Sequence, residues 1–327
     1  MKLTAYLHNI DEGFIRQASN NIRKHIHRTA VLKSENLNSI IGASLFFKCE
    51  NFQKAGAFKS RGAVNTVFSL SVDDLKKGVA THSSGNHAAA LSRAAQLRNT
   101  KAFIVMPDNS SRVKIDAVKN YNGIITFCKP TLKDREDTLR KIISKTGAIE
   151  IHPYNDARII AGQATAAMEL FEEIKDLDII MAPVGGGGLL SGTALATHFF
   201  SPGTKVVAAE PEGAKDAFLS FYGNKFIPST NPITIADGLL TSLGSLTYPI
   251  IKDHVAQIVT VHEEAIIKAM ILVWERMKII IEPSAAVPLA ALIQKNAPAG
   301  NKEFHFKNKR IGIILSGGNL DPNNLPW

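Results

Sequence analysis

A chain of 327 residues is longer than one compact domain usually is, and 45% hydrophobic with 20% charged residues supplies core enough for two lobes. The formal charge of +9 comes from basic residues scattered along the sequence, with no aromatic-interleaved basic block, which argues against nucleic acid and leaves a positive field suited to small anionic ligands. Glycines interrupt the longest apolar runs, as in "IIMAPVGGGGLLSGTALA", and charges come early in "MKLTAYLHNIDEGF", so neither a membrane span nor a secretory signal is expected.

In chain order, the first strand is expected in "SLFFKCE", residues 44 to 50. Lys59 follows, in what reads as the first turns of a helix. Ala55, Gly56, Gly62 and Ala63 lie three and four positions either side of it and would share one helical face, leaving a trough around the amine. A solvated lysine on a surface helix is the plainer alternative. Further strands are expected near 78 ("GVATHS"), 102 ("AFIVMP"), 123 ("GIITFC"), 178 ("DIIMAPV"), 205 ("KVVAAE") and 310 ("RIGIILS"), with helical periodicity at 86–97 and 162–174. Apolar strands alternating with helices define an α/β class with parallel sheets covered on both faces. Strands near 78, 102, 124 and 148 group together, and those after 178 can pair with the early strand. That predicts a small lobe, 76–154, inserted into a large one of 1–75 and 155–327, with a ligand cleft between them. Cys49 and Cys128 sit in apolar strand-like contexts without metal-type spacing, as in a reduced cytoplasmic chain.

Three loops carry chemistry. In "APVGGGGLLSG" a strand ends at Val184 and four bare residues, Gly185 to Gly188, lead into a helix near Leu189. Successive amides at a helix start cradle a phosphate dianion, and a mere tight turn rarely needs the backbone entropy that four glycines cost. The spacing is neither that of a P-loop nor that of the dinucleotide fingerprint. "THSSGNH", Thr81 to His87, again joins a strand to a helix. Ser83 and Asn86 could hold a carboxylate there, although helix capping accounts for one such residue. "ILSGGN" places Ser316 at the carboxyl end of a strand, where open α/β sheets bind ligands.

"FKSRGA", "SSGNH", "GGGGLLSG" and "LSGGN" stand in one order and spacing, and over essentially its full length the chain resembles the fold-type II pyridoxal phosphate enzymes, within them the serine and threonine dehydratase and serine racemase family. The resemblance implies a two-lobed, tryptophan synthase β-like fold. It implies that Lys59 forms the Schiff base with the cofactor aldehyde, Phe58 packs beside the ring and Asn86 bonds its phenolic oxygen. Gly185, Gly186, Gly187, Gly188 and Leu189 would hold the phosphate, with Ser316 facing the ring nitrogen. A neutral hydroxyl there suits β-elimination. The trough around Lys59 would then admit a planar ring.

The activity implied is racemisation of serine with elimination of hydroxy amino acids to a 2-oxo acid and ammonia, Lys59 taking the α-proton and Ser84 acting from the opposite face. Ser83, Ser84, Asn86, His87 and Arg135 of "LKDRED" would meet the substrate, as could His82, and Glu282 matches a glutamate near the ring in relatives. Alternatives are a serine or threonine dehydratase, or an L-threo-3-hydroxyaspartate dehydratase, without racemase activity. A PLP-binding protein without turnover is a reading of another class. "AAEPEGAKDAF" matches a structural metal site of Glu210, Ala214 and Asp216, whose all-oxygen ligation suits Mg²⁺ or Ca²⁺. A homodimer is implied as well. Ala88, Ala89 and Ala164 depart from the common pattern and put nucleotide activation in doubt; with little chain after Ser316, isoleucine control is not expected.

Overall fold

The computed structural model describes residues 10–83 and 85–327. The chain opens with α1 (Glu12–Ile22), β1 (Val31–Leu32), α2 (Glu35–Ile41) and β2 (Ser44–Cys49). Next come α3 (Lys59–Phe68), α4 (Val72–Lys77), β3 (Val79–His82), α5 (Asn86–Leu97) and β4 (Ala102–Pro107). These are followed by α6 (Arg112–Asn120), β5 (Ile124–Cys128), α7 (Leu132–Thr146), β6 (Ile149–Glu150), α8 (Ala157–Glu173) and β7 (Ile179–Pro183). The remainder is α9 (Gly188–Phe200), β8 (Lys205–Pro211), α10 (Asp216–Gly223), α11 (Thr247–His254), β9 (Gln257–Val261), α12 (Glu263–Met277), α13 (Pro283–Ile293) and β10 (Arg310–Leu315).

Six strands form one sheet in the order β1-β2-β10-β7-β8-β9, parallel except for the short β1. The apolar runs explain this arrangement. All five residues of β7 are buried, as a strand covered on both faces requires. On one face α8 and α9 supply Ile160, Ala164, Leu189 and Leu190, and on the other α12 and α13 supply Ile266, Met270, Val287 and Leu289. A second sheet, ordered β5-β4-β3-β6 and wholly parallel, takes α3, α5 and α6 on one face and α7 on the other. The α/β class with parallel sheets is therefore as the sequence indicates. Among the described residues no helix is long and apolar enough to cross a membrane.

The small residues around Lys59 serve packing, and this corrects the trough expectation. Lys59 is the first residue of α3, so Ala55 and Gly56 precede the helix in a turn, with positive φ of 55° and 71°. Gly62 faces α8: a Cβ on Gly62 would sit 2.5 Å from Gln163 Nε2, and one on Gly162 would sit 2.5 Å from the Gly62 Cα. Ala63 is fully buried beneath α5. Two helices back to back on glycine need small residues, and no trough for a ring is formed by them.

Candidate active site

The carboxyl ends of β3, β7 and β10, with the start of α3, surround one cavity of about 830 Å³. It is the place where open parallel sheets leave backbone amides and loop side chains free for a ligand. Phe58, Lys59, Ser83, Asn86, His87, Arg135, the four glycines from Gly185 to Gly188, Leu189 and Ser316 all line it. His82 and Glu282 line it too. Ser84 lies outside the described residues.

The glycine loop is shaped by what presses on it. Gly187 has φ +87°, the left-handed region that favours glycine. A Cβ on Gly186 would run into the Tyr154 ring, 2.5 Å from its Cγ, and one on Gly185 would sit 2.8 Å from the Leu239 Cα. Thr247 Oγ1 donates to the Gly186 carbonyl at 2.9 Å and so pins the loop. Gly188 and Leu189 open α9, whose leading amides have no intrahelical acceptor and carry the positive end of the helix dipole. The donor set fits a phosphate.

Lys59 Nζ donates to the Pro153 carbonyl at 2.8 Å and lies 5.1 Å above the Phe58 ring. Burial lowers its pKa to about 8, against the opposing pull of the Glu282 carboxylate. Glu282 itself is pushed up to about 7 by burial, although the Asn86 amide bonds to it. Asn86 Nδ2 donates to both Glu282 oxygens, and Asn86 Oδ1 accepts from Asn319 Nδ2 at 2.8 Å. His152 is lowered to about 4 by burial, and His87 well below its ordinary range, so both imidazoles are neutral. His87 is tied to the Ile151 carbonyl at 3.2 Å. The Ser316 carbonyl accepts from the Phe58 amide at 3.0 Å, which sets the start of α3 against the end of β10.

Arg135 points from α7 toward the cavity, and its buried Nε has no hydrogen-bond partner among the described residues. A guanidinium donor in that state is available to an anionic ligand. Tyr154, Pro153, His152 and Leu239 line the same space but carry no recognisable signature of their own. Only the fold brings them there.

A model of the family described as "Pyridoxal-phosphate dependent enzyme" matches residues 22–317. The chain belongs to this family. The pyridoxal-phosphate dependent relatives include a beta-hydroxyaspartate dehydratase of Paracoccus denitrificans, 49% identical over 310 residues and spanning 95% of this chain and 96% of that one. A serine racemase of Dictyostelium discoideum is 47% identical, with 95% of each chain covered. The solved structure of maize serine racemase superposes with a TM-score of 0.91 at 43% identity, covering 96% of this chain and 94% of its own.

Away from the cavity, this pyridoxal-phosphate dependent enzyme buries two carboxylates side by side. Glu210 ends β8 and accepts from the Ala217 and Phe218 amides at 2.9 and 2.8 Å. Neither buried oxygen of Asp216, at the start of α10, has a hydrogen-bond partner among the described residues. Burial pushes Asp216 up to about 7, and burial beside Asp216 raises Glu210 well above the carboxylate range. Ala214 is buried in the intervening turn. Two adjacent buried acids, with the oxygens of Asp216 orphaned, fit an all-oxygen cation site.

Proposed function

We propose that the chain is a pyridoxal phosphate-dependent serine racemase with serine and threonine dehydratase activity. The reading is carried by one observation, the meeting in a single cavity of a buried lysine of lowered pKa, a four-glycine helix start and a strand-end hydroxyl. The amides of Gly185 to Leu189 would bind the phosphate, Ser316 would face the pyridine nitrogen and Asn86 the phenolic oxygen, with Phe58 beside the ring. When bound, the cofactor supplies an electron sink for the pair left behind by a departing α-proton.

The chain's own groups do the rest. Lys59 Nζ takes the α-proton, since an amine with a pKa near 8 is partly unprotonated at neutral pH. The Pro153 carbonyl orients that amine. Ser83, Asn86 and His87 frame the substrate carboxylate, His87 through its hold on the turn rather than as a charge. Departure of the β-hydroxyl yields 2-oxo acid and ammonia after hydrolysis. Racemisation requires proton delivery on the opposite face, a role assigned to Ser84. Glu210, Asp216 and the Ala214 carbonyl would hold Mg²⁺ or Ca²⁺ as a structural ion. This reading takes 76–154 as the small domain, and the enzyme as a cytoplasmic homodimer.

A second reading, dehydration of L-threo-3-hydroxyaspartate, is favoured by the unpartnered Arg135 Nε, which suits a second substrate carboxylate. The deciding experiment is chiral analysis of products from L-serine, L-threonine and L-threo-3-hydroxyaspartate, with 2-oxo acid measured in parallel. D-serine together with pyruvate supports the first reading, and 2-oxo acid from hydroxyaspartate alone supports the second. Silence with every substrate would leave a cofactor-binding protein without turnover. Ser84→Ala is expected to abolish enantiomer exchange while elimination from L-serine survives; equal loss of both would count against its role.

A further inference from the structure

A buried cluster of four charges lies directly behind Lys59. Arg61, two residues along α3, is fully buried and uses all five of its donors. Its Nε and Nη2 meet Glu50 at 2.7 Å each, and its Nη1 and Nη2 meet Glu169 at 2.8 Å each. Nη1 also donates to Thr165 Oγ1 at 3.0 Å. Lys48 Nζ completes the set, 2.6 Å from Glu169 Oε2 and 2.8 Å from the Thr29 carbonyl, and Thr29 Oγ1 donates to Glu50 at 2.6 Å. Two cations face two carboxylates, so the cluster is neutral.

Stability alone does not account for it. Buried ion pairs lose on desolvation much of what they gain by attraction, and apolar replacements of similar volume often serve as well. What a planar fork bonded to two elements adds is geometry. Residues two apart on a helix point to opposite faces, so Arg61 reaches inward while Lys59 faces the cavity. Glu50 follows the end of β2, whereas Thr165 and Glu169 lie on α8. The segment leading into α8 carries Pro153, the acceptor of the lysine amine, and Tyr154, which presses on the glycine loop. The glycine contact between α3 and α8 is otherwise tied at single points, the Gly62 amide donating to Gln163 Oε1 at 3.2 Å and Asn65 Nδ2 donating to the Arg158 carbonyl at 2.7 Å. The fork adds a rigid four-bond tie that joins α3 to the end of β2 as well as to α8.

We infer that Arg61 is a positioning residue: bound to Glu50 and Glu169, it fixes the rotation and height of α3 and so aims Lys59 at the glycine cradle. The inference rests on the reading of Lys59 as the cofactor lysine. An amine that must react at a set point has a tolerance of about 0.5 Å, and an error of about 1 Å costs on the order of 100-fold.

The test compares Arg61→Lys, which keeps the charge and loses the fork, with Leu37→Ala, a core truncation in α2 remote from the cavity. Each is titrated with pyridoxal phosphate and followed by its visible absorption band, with apoprotein Tm and circular dichroism as checks on folding. Arg61→Lys should fold, bind the cofactor at least about tenfold more weakly than wild type and shift the band maximum, whereas Leu37→Ala should lower Tm with Kd and band unchanged. If Arg61→Lys does not fold, Glu169→Gln, which keeps the shape and one acceptor, carries the same expectation. A folded fork variant with wild-type Kd and band, or one that loses no more than Leu37→Ala, would overturn the inference. No band in the wild type would instead remove the reading of Lys59.

Discussion

The side-chain amide of Asn86 donates to both carboxylate oxygens of Glu282, at 2.8 and 2.9 Å, tying the start of α5 to the residue that precedes α13. Burial raises the Glu282 carboxyl to about 7 in spite of that bond, while the unfolded chain releases the proton near 4.5. The folded apoprotein therefore holds a proton that the unfolded chain has lost. Stability from this group is full below 4.5 and falls as pH rises toward 7, by up to about 1.4 kcal/mol per unit. Glu282→Gln removes the titration, so the variant's Tm minus that of the wild type should increase from pH 5 to pH 7. A difference that stays constant across that interval would show Glu282 to be ionised throughout.

Gly186→Ala tests the cradle. The added methyl would collide with the Tyr154 ring, so loop or ring must shift. Affinity for pyridoxal phosphate should drop at least about tenfold, or about 1.4 kcal/mol, and the double variant with Tyr154→Ala should regain part of the loss. Unchanged cofactor affinity in the single variant would place the phosphate elsewhere.

Much of this site is legible in the sequence because its anion-binding parts are contiguous. Gly185 to Gly188, Ser83 with Asn86, and Ser316 each sit where a strand ends, and local chain order alone puts them on one side of a sheet. Lys59 stands out in the sequence, but the packing role of the small residues beside it does not. Whether Gly62 faces a ligand or Gly162 depends on where α3 begins and what packs behind it. Tyr154 and Pro153 are illegible because each is an ordinary single residue delivered by the tertiary fold. Strand β9, with Gln257 at its start and Thr260 within it, lacks the unbroken apolar run that marks β7 and β10.

Arg135 should decide between substrates. Its buried Nε, unpartnered among the described residues, suits a second carboxylate, so Arg135→Met should cost about 2 kcal/mol or more in kcat/KM for L-threo-3-hydroxyaspartate. L-Serine, which lacks that group, should change by no more than about threefold. Equal losses with both substrates would make Arg135 a general structural residue.

The two buried acids predict a metal response. Mg²⁺ or Ca²⁺ at 100 times its Kd should stabilise the wild type by about 2.7 kcal/mol, seen as a rise in Tm. Asp216→Asn, which leaves the shape and removes the charge, should abolish that rise. A metal-induced rise of the same size in the variant would move the ion to another site.

The central claim is that the Lys59 amine, buried and held near a pKa of 8, is the group that captures pyridoxal phosphate. Its most direct measurement is the visible spectrum of the purified chain titrated with the cofactor, before and after borohydride, alongside Lys59→Ala. The account predicts a band in the wild type that borohydride bleaches, with the label recovered on the peptide containing Lys59, and no such band in the variant. A colourless wild type, or an equal bleachable band in Lys59→Ala, would contradict it.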